Sequence, residues 1–290
     1  MTDSRRILIT GAGGQLGQAF ADLDWRGFTV RFIDLDDLDL GDAAAIEAYV
    51  EQYAPDIVIN TAAYTAVDKA ESEPELVDRI NHQAPAAFAR ILAKTGGLLL
   101  HYSTDYVFPG DGEKPYREDD TTGPASIYGS TKLAGEQAVT ESGCDYLIFR
   151  TSWVYAFRGQ NFLLTMLRLA ESRDELTVVD DQHGTPTYAE DLAVLSQQVL
   201  LTYLDRGDAG LNGIYHLGNL GQTTWCGFAR EIMQKAGKPT RVIPVGSEAY
   251  PTPAKRPAYS VLDKNKVISA FGLEIPDWKD ALERCLGRLA

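Results

Sequence analysis

Tyr128 and Lys132, in the segment Tyr128-Gly-Ser-Thr-Lys132, set a phenol and an ammonium one helical turn apart where the sequence reads as the start of a helix. That spacing puts both groups on one helical face. A tyrosine ordinarily titrates at about 10, so it donates a proton to an alkoxide at neutral pH best when its phenolate is stabilised. A lysine about 4 Å away, at an effective dielectric of about 20, supplies roughly 4 kcal/mol, or about 3 pKa units. Surface helices also produce Tyr-x-x-x-Lys by chance, so the pair gains meaning only from what surrounds it.

The chain start supplies that context. Arg5 to Gly17 reads Arg-Arg-Ile-Leu-Ile-Thr-Gly-Ala-Gly-Gly-Gln-Leu-Gly, an apolar run that ends in glycines and passes into a helical pattern through Leu16, Ala19, Phe20 and Leu23. Gly11, Gly14 and Gly17 keep the spacing of a tight turn, a close approach of backbone to a pyrophosphate and a close helix–strand contact. A second apolar run, Phe28 to Ile33, ends in Asp34, near the position along the chain of a ribose-binding carboxylate. A dinucleotide is the ligand this pattern fits.

With 290 residues the chain is long enough for one large α/β unit and a smaller partner. Its net charge of −14 argues against a phosphate-backbone binder, so no nucleic-acid polymer is expected as a partner. A small anionic ligand remains compatible, since a few backbone N–H groups and arginines hold a diphosphate whatever the global charge. Cys144, Cys226 and Cys285 are scattered and odd in number, which argues against disulfides and structural zinc and fits a cytoplasmic setting. His82, His101, His183 and His216 show no ligand spacing. No leader-like segment or long apolar run points to secretion or a membrane.

The expected architecture is a doubly wound parallel Rossmann sheet with a smaller, interleaved C-terminal substrate lobe. Ile7–Thr10, Val30–Ile33, Asp56–Asn60, Leu98–Tyr102 and Tyr146–Phe149 read as buried strands, with helical segments between most of them. Residues 1–150 form the expected dinucleotide-binding domain and residues 151–290 mainly the substrate lobe. In the second half, Asn161–Ser172, Tyr188–Leu204 and Thr224–Ala236 read as helices, the last capped by Thr223 or Thr224. Leu176–Val179 and Gly213–Leu217 read as extended, and Pro239–Pro257 as loop and short strand. Loops at the carboxyl ends of the strands should converge on the ligand: Gly11–Gly17, Thr61–Asp68, Ser103–Phe108 and Thr151–Tyr155.

His101-Tyr-Ser-Thr-Asp-Tyr-Val-Phe108 closes the strand before the Tyr128 helix and brings a hydroxyl, Ser103 or Thr104, to its tip. With the glycine turn, Thr104, Tyr128 and Lys132 resemble the extended short-chain dehydrogenase/reductase superfamily. Within it the chain resembles the dTDP-4-dehydrorhamnose reductase family, through Ala62-Ala-Tyr-Thr-Ala-Val-Asp-Lys-Ala-Glu71, Ser103-Thr-Asp-Tyr-Val-Phe108, Tyr128-Gly-Ser-Thr-Lys-Leu-Ala-Gly-Glu136, Arg150-Thr-Ser-Trp-Val-Tyr155, Gly184-Thr-Pro-Thr187 and Arg256-Pro257.

The resemblance implies reduction of the C4 ketone of a dTDP-linked 6-deoxyhexulose, with hydride from NADH or NADPH and a proton from Tyr128. It makes Thr104 the partner of the carbonyl oxygen and Lys132 the group that holds the nicotinamide ribose. Gly11, Gly13, Gly14, Gln15, Leu16, Gly17, Asp34, Asp39, Leu40, Ala62, Ala63 and Tyr64 join Tyr128 and Lys132 as cofactor contacts. Val67, Thr104, Asp105, Tyr128 and Trp153 are implied at the sugar and Arg256 at the diphosphate, where a planar donor fork suits phosphate oxygens. Asn81 reads as a plain polar helix residue or as the family's helix-bending asparagine. Asp34, followed by Leu35 and with no Lys or Arg in the glycine turn, favours NADH or ready use of both cofactors.

Some members of that family bind magnesium at a dimer interface through a glutamate matching Glu190 and groups of a C-terminal tail. Glu190 is therefore the candidate Mg2+ ligand and a homodimer the candidate assembly, although the chain stops at Ala290, where that tail would continue. Three rival functions share the pattern. A 4,6-dehydratase needs an Asp-Glu pair after its threonine, and here Tyr106 follows Asp105. A regulatory subunit like that of methionine adenosyltransferase has no use for an intact Thr104, Tyr128 and Lys132. A reductase or epimerase of another nucleotide sugar differs only in pocket shape.

Overall fold

The computed structural model describes residues 4–207 and 210–289. Its central sheet has six strands, all paired in parallel, in the order Gly213–His216, Asp145–Thr151, Leu98–Thr104, Ile57–Asn60, Arg5–Thr10, Phe28–Ile33. The inner strands are near-continuous apolar runs because both their faces are covered. Ile7, Ile9, Ile59, Leu100, Leu147 and Phe149 face one layer, with Leu192, Leu195 and Val199 of the helix Ala189–Arg206 against them. Leu8, Val58, Leu99 and Ile148 face the other, under Ile46 and Val50 of Ala43–Tyr53 and Phe88 and Leu92 of Ala84–Thr95.

The sequence reading placed most of these elements to within two residues. The strand expected over Leu98–Tyr102 runs on to Thr104, which carries the candidate hydroxyl to the sheet's carboxyl edge. Between Arg5–Thr10 and Ile57–Asn60 the connections leave in opposite directions, since the strand following the first lies on its outer side. That divergence opens a crevice at the strand ends, where ligands of such sheets bind.

A second core is built by Phe162–Ala170, Trp225–Lys235 and Trp278–Gly287, through Leu163, Met166, Phe228, Ile232, Trp278 and Leu282. Each of these helices starts at a side-chain cap: Asn161 accepts from Leu164 N–H at 3.0 Å, Thr224 from Gly227 N–H at 2.9 Å and Asp277 from Lys279 N–H at 2.9 Å. A parallel ribbon, Glu175–Val179 with Arg241–Val245, lies beside them. Among the described residues no helix is long and apolar enough to cross a membrane.

Candidate active site

The glycine turn has the geometry its sequence implies. Gly11 sits at φ +69°, a conformation that favours glycine, and a Cβ there would stand 2.9 Å from the Ala62 nitrogen. A Cβ on Gly17 would overlap the Gly11 carbonyl oxygen, so the helix Gln15–Ala21 can dock on the turn only without one. Gly13 donates its N–H to Asp34 Oδ2 at 2.6 Å, and Leu35 N–H reaches Asp34 Oδ1 at 2.9 Å. The acid thus closes the turn against the second strand and stands at its rim. Beside it a hollow of about 130 Å³ is lined by Gly11, Asp34, Asp39, Leu40, Ala62 and Ala63, together with Leu38 and Ile80, which the sequence did not single out.

A larger cavity, about 350 Å³, continues from the turn to the catalytic candidates. Gly11, Gly14, Gln15, Leu16, Ala62 and Ala63 line one end; Ser103, Tyr128, Lys132, Thr151 and Leu192 line the other. Ser103 Oγ and Thr151 Oγ1, on two of these lining residues, are buried without a partner. A dinucleotide fits these residues: a cradle that side chains would fill at one end, orphaned hydroxyls and a lysine at the other. Gln15 is held at this edge by Asn161 Nδ2, which donates to its Oε1 at 2.8 Å.

Tyr64 departs from expectation. Its phenol turns to Glu73 Oε2 at 2.7 Å and its ring joins the cluster around Tyr128, while Ala62, Ala63 and Thr65 line the cavity. What holds this loop is Asn81, which is buried rather than a surface residue. It accepts from Tyr64 N–H at 2.9 Å and donates to the Tyr64 carbonyl at 3.1 Å. Asn81 lies in a π-helical segment, Arg79–Gln83, inserted between the helices Pro74–Asp78 and Ala84–Thr95. Such wide turns re-aim side chains at functional sites.

Tyr128 and Lys132 lie in the first turns of Ile127–Thr140, capped by Ser126, whose Oγ accepts from Gly129 N–H at 3.2 Å. The glycines of this motif serve packing: a Cβ at Gly129 would overlap the Tyr106 carbonyl, and one at Gly135 the Asn81 carbonyl. Burial pushes the Tyr128 phenol above its usual value, with its hydrogen-bond contact to Thr104 opposing and the Asp105 charge adding to the rise. The expectation that Lys132 lowers the phenol's pKa is not met in this state. Lys132 Nζ instead donates to the Tyr102 carbonyl at 2.5 Å and lies 3.4 Å from His101 Nε2. Burial pushes its ammonium down to about 8, with Glu136 opposing.

Thr104 is hydrogen-bonded on several sides. Its hydroxyl donates to Asp105 Oδ1 at 2.9 Å and accepts from Tyr106 N–H at 3.2 Å. Asp105 is itself buried, which raises its carboxyl to about 6 against hydrogen bonds from Ser260 and Thr104. Val67 packs in the cluster that contains Tyr128. Tyr106, which the sequence reading passed over, meets the Tyr128 ring edge-on with centroids 5.5 Å apart. Arg256 donates to the Tyr106 hydroxyl at 3.2 Å and pairs with Asp68 at 2.5 Å, so its fork is already partnered within the protein. Trp153 is half-buried rather than core. It adopts φ +48° and stacks on Trp225, with centroids 3.6 Å apart and planes 8° from parallel.

The metal expectation finds no support at Glu190. Its Oε1 faces Arg158 Nη2 at 3.2 Å, and the same guanidinium pairs with Asp22, so one carboxylate oxygen is already ion-paired, while Oε2 is buried without a partner. Among the described residues no group of three or more His, Cys, Asp or Glu side chains converges as a metal site. With an arginine on one oxygen and no second or third such ligand beside it among the described residues, Glu190 does not fit Mg2+.

Comparison with known proteins agrees with this geometry. The family described as RmlD substrate binding domain matches residues 5–290. A dTDP-4-dehydrorhamnose reductase of Burkholderia thailandensis is 44% identical, over 97% of this chain and 98% of that protein. One of Escherichia coli is 44% identical, over 98% and 97%. The crystal structure of dTDP-4-dehydrorhamnose reductase from Bacillus anthracis in complex with NADP superposes with a TM-score of 0.92 at 38% identity, covering 98% of this chain and 99% of that one. On the match over nearly its whole length, the chain belongs to the RmlD family of dTDP-4-dehydrorhamnose reductases.

Proposed function

We propose that this protein reduces the C4 ketone of dTDP-4-dehydro-L-rhamnose to give dTDP-L-rhamnose, using NADH or NADPH. The observation that carries the reading is the single cavity lined at one end by the glycine turn and at the other by Ser103, Tyr128 and Lys132. The bound nicotinamide supplies the hydride to C4. Tyr128 is fully protonated at neutral pH, because burial disfavours its phenolate, and gives its proton to the oxygen on which negative charge develops. Thr104, whose hydroxyl is held by Asp105, is assigned to that same oxygen beside the phenol. Both groups are in place before reaction, so they favour the transition state over the ground state. Lys132, which in this structure donates to the Tyr102 carbonyl, is assigned to the nicotinamide ribose, and its ammonium must turn toward the phenol to steady the phenolate that remains.

On the substrate side we assign Val67, Asp105 and Trp153 to the sugar and Arg256 to the diphosphate. The Tyr106 hydroxyl and Asp68 hold the Arg256 guanidinium beside the catalytic tyrosine. Residues 1–150 supply most of the dinucleotide site and residues 151–290 most of the substrate lobe. Three buried free cysteines fit a reducing compartment, and we place the reaction in the cytoplasm.

A purified-protein assay tests the reading. NAD(P)H absorbance at 340 nm should fall on addition of dTDP-4-dehydro-L-rhamnose, and Tyr128→Phe should slow that fall by roughly 10²-fold or more with cofactor affinity little changed. No loss above the substrate-free blank would remove the assignment, and wild-type turnover by Tyr128→Phe would remove the proton donor.

A further inference from the structure

A row of buried polar side chains that the reduction has not so far used reaches the catalytic lysine through the sheet. Thr10 is opposite Asn60, and Asn60 opposite His101, in the register of adjacent parallel strands. Laterally paired residues share a face of the sheet, so the three side chains stand in line. Each is 1% exposed. Thr10 Oγ1 donates to Asn60 Oδ1 at 2.7 Å, Asn60 Nδ2 lies 3.1 Å from His101 Nδ1, and His101 Nε2 lies 3.4 Å from Lys132 Nζ.

The orientation of the Asn60 amide selects a tautomer. As it stands, Thr10 Oγ1 donates to Asn60 Oδ1 and the amide's N–H groups face His101, whereas the amide turned over would donate to Thr10 Oγ1 and accept from Nδ1–H. In the orientation seen, Nδ1 is the bare, accepting nitrogen. A neutral imidazole in that setting carries its proton on Nε2, the atom that faces Lys132. When Lys132 is an ammonium, two donors face each other; when it is a free amine, Nε2–H donates to its lone pair.

We propose that Thr10, Asn60 and His101 are positioning residues for the reduction: the row holds the Nε2–H of His101 toward Lys132 and thereby sets the pH at which Lys132 loses its ammonium. The inference rests on the role given to Lys132 above. The charges around Nζ are consistent with it. Tyr128 lies one turn back on the same helix. Glu136 lies one turn on, and both its oxygens are taken by Arg150 of the strand Asp145–Thr151, at 2.7 to 3.2 Å. On the strand Leu98–Thr104, the Tyr102 hydroxyl is turned away to Ser196 at 2.6 Å. His101 is thus the neighbour whose proton can face Nζ directly. Burial holds the imidazole well below its usual pKa, with the Lys132 charge adding to the depression, so the ring stays neutral.

The direct test is the ¹⁵N spectrum of the wild-type protein labelled at its four histidines, with His101→Gln used to identify one signal by its loss. The result expected is a ring that stays neutral from about pH 6 to about pH 9 with its proton on Nε2. A proton on Nδ1, or a ring titrating near about 6.5, would overturn the proposal. The second arm is the alkaline limb of kcat/KM. Thr10→Val removes only the hydroxyl that pins the amide, so Asn60 can turn and Nε2 can accept from the ammonium, and the limb should move up by about half a pH unit or more. A lower Tm with an unmoved limb would show a row that only packs. The spectrum decides the tautomer whether or not the enzyme turns over, so failure of the reductase reading and failure of this one are separable.

Discussion

Lys132 ties the chemistry to a measurable pH. Its ammonium, held down to about 8 chiefly by burial, is present below that value and lost above it. Tyr128 is shifted the other way and keeps its proton throughout this range. The kcat/KM of the reduction should therefore fall as pH rises through about 8, and a profile flat to about pH 10 would contradict the role of Lys132. Asp34 carries a second prediction. Its carboxylate closes the glycine turn, the following Leu35 is 69% exposed and uncharged, and Arg31 is turned onto the Tyr53 ring at 4.4 Å from its centroid. With Arg31 engaged there and an uncharged Leu35 after the acid, NADH should be used readily; a kcat/KM for NADPH more than about tenfold above that for NADH would contradict this. At this scale the helix start that carries Tyr128 and Lys132 and the strand end that carries Thr104 were legible because motif and spacing are local. The ties of Arg256 to Asp68 and of Tyr64 to Glu73, and the burial of Asn81, were not, because each depends on how separate segments dock.

Most of the sheet and the helices after Asn161 and Thr224 were readable from apolar runs and, for the latter, from a cap at Thr223 or Thr224, since those signals lie within the elements themselves; the helix Trp278–Gly287 was not read. The setting of Trp153 was not. Its left-handed backbone costs on the order of 1–3 kcal/mol and persists because its surroundings over-determine it. Trp225, from the start of a later helix, supplies one face of that setting. Gly184, in the short strand His183–Gly184, supplies another: a Cβ there would stand 2.5 Å from Trp153 Cε2. Gly184→Val should displace the indole and raise the KM for the sugar nucleotide by about tenfold or more, with the cofactor Kd unchanged. Titration of each ligand checks this, and an equal loss of cofactor affinity would contradict the placement of Trp153 on the sugar side.

Across the whole molecule, the alternation of strands and helices made a doubly wound sheet legible, and the later half was expected to interleave with it. The structure gives that interleaving a physical form. Gly213–His216 completes one edge of the sheet, and Ala189–Arg206 covers one of its faces with Leu192, Leu195, Val199 and Leu200. The same helix brings Leu192 to the wall of the ligand cavity, so the two halves of the chain build one site. In the proposed reaction hydride passes to C4 of the sugar within that cavity. Turnover with a cofactor deuterated at both C4 positions of its dihydronicotinamide tests it most directly. The account predicts one deuterium per product molecule, located at C4 of the 6-deoxyhexose by NMR and mass spectrometry; unlabelled product, or deuterium at any other carbon, would contradict it.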